Sequence, residues 1–232
     1  MSFSSVFSII MLSILLLFTW TFYGDYQGKK KSTRDVIREM TCDAMIIAII
    51  LLMTFVPSLG FIAVTPFLSF TLLHLPVLLG AAIGGWKKGL LFGFIFGVSS
   101  YINALSSVGF NALFAFPWTA IPPRMVFGLV AGIVFSLIGK LSKKRIKVLY
   151  LGLAAAGLTM LHTLLVFGNL LIYYPETIQN LFASTSPAAA GTALTFTVLI
   201  VLGMAGEMAL AFLIIPPLVA ALRKAMPRLF VH

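Results

Sequence analysis

The sequence predicts an all-α integral membrane protein, and three observations carry that prediction. Of the 232 residues, 60% are hydrophobic and only 9% are charged, and the apolar residues gather into seven stretches near the length that crosses a bilayer. A soluble domain would carry about a quarter charged residues. The deficit excludes a water-soluble globule and a disordered chain, and it removes nucleic acid as the reason for a formal charge of +10. The single cysteine, Cys42, has no second thiol for an internal disulfide and is too few for a zinc or iron–sulfur cluster. No G-x-x-x-x-G-K-[ST] run is present to cradle a nucleotide. The expectation is therefore a protein without metal, cofactor or catalytic group of its own.

A helix rises about 1.5 Å per residue, so roughly 20 apolar residues cross the hydrocarbon core while satisfying their own backbone. The first span is expected at 3–23. Its positive charges follow the apolar run instead of preceding it, so it reads as a retained anchor and not as a secretory signal. The second, at 42–62, is entered through the basic segment 29–38. The third, at 67–86, stops at Lys87 and Lys88, and the fourth, at 89–106, departs from them. The fifth, at 120–141, opens on Pro122 and Pro123, which suit a first helical turn. The sixth is expected at 148–173. The seventh, at 188–222, is long enough to tilt, to break near Gly203 and Gly206, or to bend at Pro216 and Pro217.

Charge supplies the orientation. Lys29, Lys30, Lys31, Arg34, Arg38, Lys87, Lys88, Lys140, Lys143, Lys144, Arg145, Lys147, Arg223, Lys224 and Arg228 all fall on one side when the spans alternate, leaving Arg124 as the exception among 16 basic residues. Short basic loops stay in the cytoplasm. The expectation is a multi-pass protein of the cell membrane with its N-terminus outside and its C-terminus in the cytoplasm. An extra transmembrane helix at 1–28 would precede a six-helix unit at 29–232. The longest outer connections, 107–119 and 174–187, are where a lid over an outward-facing site could form.

Ionisable residues inside a membrane are costly and face the protein interior or a wet cavity, which makes them the first candidates for function. Arg124, near the outer end of the fifth span, has the planar two-pronged donor that grips a carboxylate or phosphate. Its alternative is to snorkel to the outer headgroups. Glu207 is the one acid deep in a span, and reads as a ligand contact, a partner for Arg124, or a structural acid. His74 and His162 lie on different spans, neither with a second ligand at metal spacing, and read as packed, hydrogen-bonding histidines or as ligand contacts. Asn103, Asn111, Trp118, Asn169 and Tyr173 add amides and aromatics at the depth of Arg124. An apolar wall with a few placed polar groups suits a small polar ligand better than catalysis. Gly89, Gly93 and Gly97, with Gly128 and Gly132, stand at i,i+4 spacing and predict close helix approach; Ala44 and Ala48 repeat that spacing.

The order of these features resembles a known family. A basic segment leads to Ala44-Met-Ile-Ile-Ala48, then to Thr71-Leu-Leu-His-Leu-Pro-Val-Leu-Leu-Gly80. The glycine row follows, ending in Ser99-Ser-Tyr-Ile-Asn-Ala104. Next comes Ile121-Pro-Pro-Arg-Met-Val-Phe-Gly-Leu-Val-Ala-Gly132, and the close is Ile215-Pro-Pro-Leu-Val-Ala-Ala-Leu222. The set is similar to the substrate-binding S components of energy-coupling factor (ECF) vitamin transporters, most of all the pantothenate type, over residues 34–224. The first span departs from the family's six-helix pattern. The resemblance implies a six-helix S-component bundle that captures a vitamin from outside and docks on an EcfT-like membrane scaffold carried by two ATP-binding cassette subunits. It also implies that ATP hydrolysis belongs to those partners, and that the family's alanine motif, matched by Ala44 and Ala48, faces the scaffold.

Pantothenate has a carboxylate, an amide and two hydroxyls, so Arg124 would take the first and Asn103, His162 or Asn169 the others. Riboflavin or cobalamin is the alternative cargo. Outside the resemblance, a membrane-embedded enzyme would need acids, histidines or a nucleophile held together. A cell-envelope assembly protein would need no ligand pocket.

Overall fold

The structure, a computed structural model, describes residues 32–65, 68–107, 109–141, 144–177 and 190–226. Its contacts divide the chain into residues 1–39 and 40–232, and the description below concerns the second unit and the helix, Thr33–Phe55, that runs into it from the first. The span expected at 3–23 and most of the 174–187 connection lie outside the described residues.

Helix α1 (Thr33–Phe55) carries its charges in its first half and is apolar beyond Asp43. Ile46, Ile50 and Thr54, four residues apart and therefore on one face, are buried. Ala44 and Ala48 stand on the exposed side with Met45, Ile49 and Leu52. The helix that holds the second expected span thus begins more than two turns before 42, in the charged segment, and stops at Phe55, where a single turn, α2 (Pro57–Gly60), leads into a strand.

The third span also needs correction. Strands β1 (Phe61–Thr65) and β2 (Leu68–Thr71) pair antiparallel, with Phe61 opposite Thr71, Ile62 opposite Phe70, and a bulge between Ala63 and Thr65. Hydropathy does not separate a short apolar strand from a helix, whereas the β-branched and aromatic residues here favour the strand. The pairing satisfies backbone groups that an apolar surround would otherwise leave bare. The all-α class therefore holds with one hairpin set into it.

Helix α3 (His74–Leu105) is two helices joined without a loop. Gly85 has φ 71°, a conformation glycine adopts without steric penalty. A Cβ on Gly80 would overlap the Phe92 ring. Twelve residues along a straight helix separate two positions by about 18 Å, so this contact requires the chain to reverse at Gly85. The arms 74–84 and 86–105 lie side by side. The break expected between 86 and 89 falls just before that interval, at Gly85, and a single residue makes it.

The long arm packs on α4 (Pro117–Gly139) through the predicted glycine row. A Cβ on Gly89 would strike the Gly128 carbonyl, and one on Gly93 would strike the Arg124 carbonyl. Only bare backbone permits that approach. Helices α5 (Lys144–Tyr173) and α6 (Ala190–Ala225) follow, and α6 runs through Gly203, Gly206, Pro216 and Pro217 as one helix. Phe92, Phe96, Phe127, Leu170 and Ile215 are fully buried between these elements. Thr54 and Ser99 hydroxyls meet at 3.2 Å between α1 and α3, and Lys88 Nζ pairs with Asp43 at 2.8 Å. Among the described residues four helices, α3 through its longer arm 86–105, α4, and the segments Ile146–Tyr173 and Val201–Ala225, are long and apolar enough to cross a bilayer. The protein is a multi-pass membrane protein.

Candidate functional site

Two prolines set the local geometry of the site. Pro122 and Pro123 lie in the second turn of α4, and neither has an N–H to donate. In an α-helix those donors would have served the carbonyls four residues back, at Trp118 and Thr119. Asn169 on α5 supplies what is missing: its Nδ2 donates to the Trp118 carbonyl at 3.0 Å and to the Thr119 carbonyl at 3.2 Å. The Thr119 hydroxyl lies 2.8 Å from the Leu113 carbonyl and 2.9 Å from that of Phe116, tying the preceding 3-10 turn (Gly109–Phe114) to the helix start. The result fixes the side chains that follow on the next turn, Arg124 first among them.

Arg124 is 6% exposed. Its guanidinium carbon lies 4.9 Å from the Phe96 ring centre and 4.8 Å from that of Phe114. Nη1 donates to the Ala120 carbonyl at 2.8 Å, and Nε has no partner. Among the described residues no carboxylate pairs with it. Snorkelling is excluded by this burial, and so is an Arg124–Glu207 pair: the Glu207 carboxylate instead accepts the Thr71 N–H at 2.6 Å. Glu207, half-buried on α6, therefore holds the end of the hairpin where it turns into α3.

His162 on α5 shares the Phe96 ring with Arg124, its own ring centre lying 5.7 Å from that of Phe96 and 4.9 Å from that of Phe127. His74, at the start of α3, stacks on it with centres 5.8 Å apart and planes 23° from parallel. Both histidines are buried. His162 Nε2 and both ring nitrogens of His74 lack hydrogen-bond partners, although the Thr71 backbone lies close to His74.

The other expected residues are placed differently. Trp118 stacks on Phe116 (5.0 Å) and tilts against Tyr173 (6.4 Å), forming an aromatic group at the α4 start. Asn169 spends its amide donor on the proline-freed carbonyls. Asn103 lies in the last turn of α3, where its backbone carbonyl accepts from Ser106 and Ser107 hydroxyls; no described contact joins it to Arg124. Asn111 falls in the 3-10 turn, with its side chain outside the described residues. Sequence reasoning passed over the ring walls Phe96, Phe114 and Phe127, and the meeting of His74 with His162. No spacing signal announces a contact made between three different helices.

The cluster combines a buried cation with no carboxylate partner among the described residues, aromatic walls and unpartnered imidazole nitrogens. Chemically it can hold an anion and orient the rest of a small molecule, and it contains no nucleophile and base arranged for catalysis among the described residues.

Comparison with known proteins adds two findings. A family model described as "ECF transporter, substrate-specific component" matches residues 38–219. The pantothenic acid transporter PanT of Lactococcus lactis subsp. cremoris (strain MG1363) is 28% identical over 166 residues, which cover 65% of this chain and 79% of that protein.

Proposed function

Because the chain belongs to the substrate-specific components of ECF transporters, we propose that it captures a vitamin, pantothenate, from outside the cell and passes it inward. Delivery would follow docking on an EcfT-like scaffold driven by two ATPase subunits. The observation that carries the ligand assignment is Arg124: a buried cation without a counter-ion calls for an anion to complete it. The pantothenate carboxylate meets that need, and the similarity to PanT supports the same cargo.

In this reading the described helices, leaving out the single turn α2 and counting the arms of α3 separately, make the six-helix S-component bundle, and the span at 3–23 is an addition in front of it. The exposed Ala44/Ala48 face of α1 meets the scaffold, small side chains allowing close approach. The N-terminus lies outside and the C-terminus inside. Asn103, Asn111, Trp118, His162, Asn169 and Glu207 remain candidate contributors to the ligand site.

The test is calorimetric titration of the purified full chain in detergent with pantothenate, riboflavin and cobalamin. Saturable pantothenate binding without ATP or partner subunits is expected. Binding of riboflavin or cobalamin in its place would move the chain to another cargo, and a folded sample that binds none of the three would end the reading.

A further inference from the structure

The histidine pair is the feature that carries furthest. His74 and His162 come from different helices, are 1% and 8% exposed, and between them leave three ring nitrogens without partners. Buried polar groups are almost always satisfied, and an apolar core would be better served by phenylalanine at both positions, as it is at the neighbouring Phe96 and Phe127. The pair also adjoins the cation site, since His162 and Arg124 stand against the same Phe96 ring.

Two imidazolium ions stacked 5.8 Å apart and beside a guanidinium would repel one another. The pair therefore acts as neutral rings, each with one donor and one acceptor nitrogen. Such a pair fits a group that both gives and accepts a hydrogen bond and carries no charge.

The geometry points to His74 and His162 as a second subsite that selects the far end of the ligand by its hydroxyl groups, while Arg124 holds the anionic end. The inference rests on the pantothenate reading for its choice of probe. It adds a requirement that an anion site alone does not make: an acid of the same skeleton without hydroxyls is a poor ligand.

The experiment compares pantothenate with an N-acyl-β-alanine of the same carbon skeleton lacking both hydroxyls, titrated into wild type, His74→Phe and His162→Phe in detergent, with a thermal melt of each ligand-free protein. Wild type is expected to prefer pantothenate by at least tenfold. Each phenylalanine variant should lose most of that preference while keeping or raising its melting temperature, and His74→Gln should recover part of it. A preference unchanged in both variants overturns the proposal and leaves the pantothenate reading intact. If folded wild type binds no pantothenate, the functional reading fails, and the subsite, which takes its ligand from that reading, fails with it.

Discussion

Replacing Arg124 with methionine separates what the cation does for the fold from what it does for a ligand. In the free protein the guanidinium faces two rings at 4.9 and 4.8 Å and donates one hydrogen bond. A cation over a ring is worth about 0.5–2 kcal/mol and a charged hydrogen bond about 1.5–3 kcal/mol, so the substitution forfeits roughly 3–7 kcal/mol of attraction. Against this stands the desolvation of an ion with no counter-charge, also several kcal/mol. The two nearly cancel, and methionine fills the space, so the ligand-free melting temperature should move by no more than about 5 °C at 2–4 °C per kcal/mol.

Binding is another matter, because a ligand carboxylate entering the variant would be buried unpaired. That costs about 3–5 kcal/mol, or roughly 150- to 5,000-fold in Kd. Arg124→Lys should fall between, since the ammonium keeps the charge but loses the planar fork. Calorimetric titration with pantothenate measures all three proteins. An affinity for Arg124→Met within threefold of wild type would refute the assignment of the carboxylate to this residue.

Two further outcomes follow from the contacts around the site. Asn169→Leu leaves the Trp118 and Thr119 carbonyls without the donor that replaces the proline N–H groups; at about 1–3 kcal/mol for each orphaned group and about 2–4 °C per kcal/mol, the melting temperature should fall by roughly 4–24 °C. An unaltered melt would mean those carbonyls do not depend on the amide. Glu207→Ala frees the Thr71 N–H, and hydrogen exchange at that amide should quicken by about 10- to 150-fold, the equivalent of a charge-assisted bond; exchange at the wild-type rate would show that the carboxylate does not hold the hairpin.

Much of this architecture was legible beforehand, for identifiable reasons. Long apolar runs bounded by lysine and arginine have one stable solution in lipid, so α4, α5 and α6 lie close to their expected positions. The glycine row predicted the α3–α4 contact because nothing but backbone fits between Gly89 and Gly128. Arg124 stood out as the basic residue that broke the charge sorting. The hairpin did not, since Phe61 to Thr71 is as apolar as a helix and its strand character rests on side-chain shape. Glu207 was visible as an acid in a span, but its partner lies 136 residues away along the chain, a distance over which periodicity carries no information. Asn169 stood out as an amide at the depth of Arg124, but its bond to the Trp118 and Thr119 carbonyls becomes apparent only once Pro122 and Pro123 are placed in the helix opposite it.

The reversal at Gly85 also acts as a ruler. His74 lies eleven residues before it and Phe96 eleven residues after, so two arms folded back on one another bring them to the same level, about 16 Å from the turn. The short arm is thus only about half as long as a hydrocarbon core of about 30 Å is thick, and its tip carries the histidine. The level of the histidine relative to the turn is here set by counting from a glycine. One residue added to or removed from the short arm would shift its tip by about 1.5 Å and swing it by about a quarter turn, taking His74 out of phase with His162 while leaving composition and hydropathy unchanged.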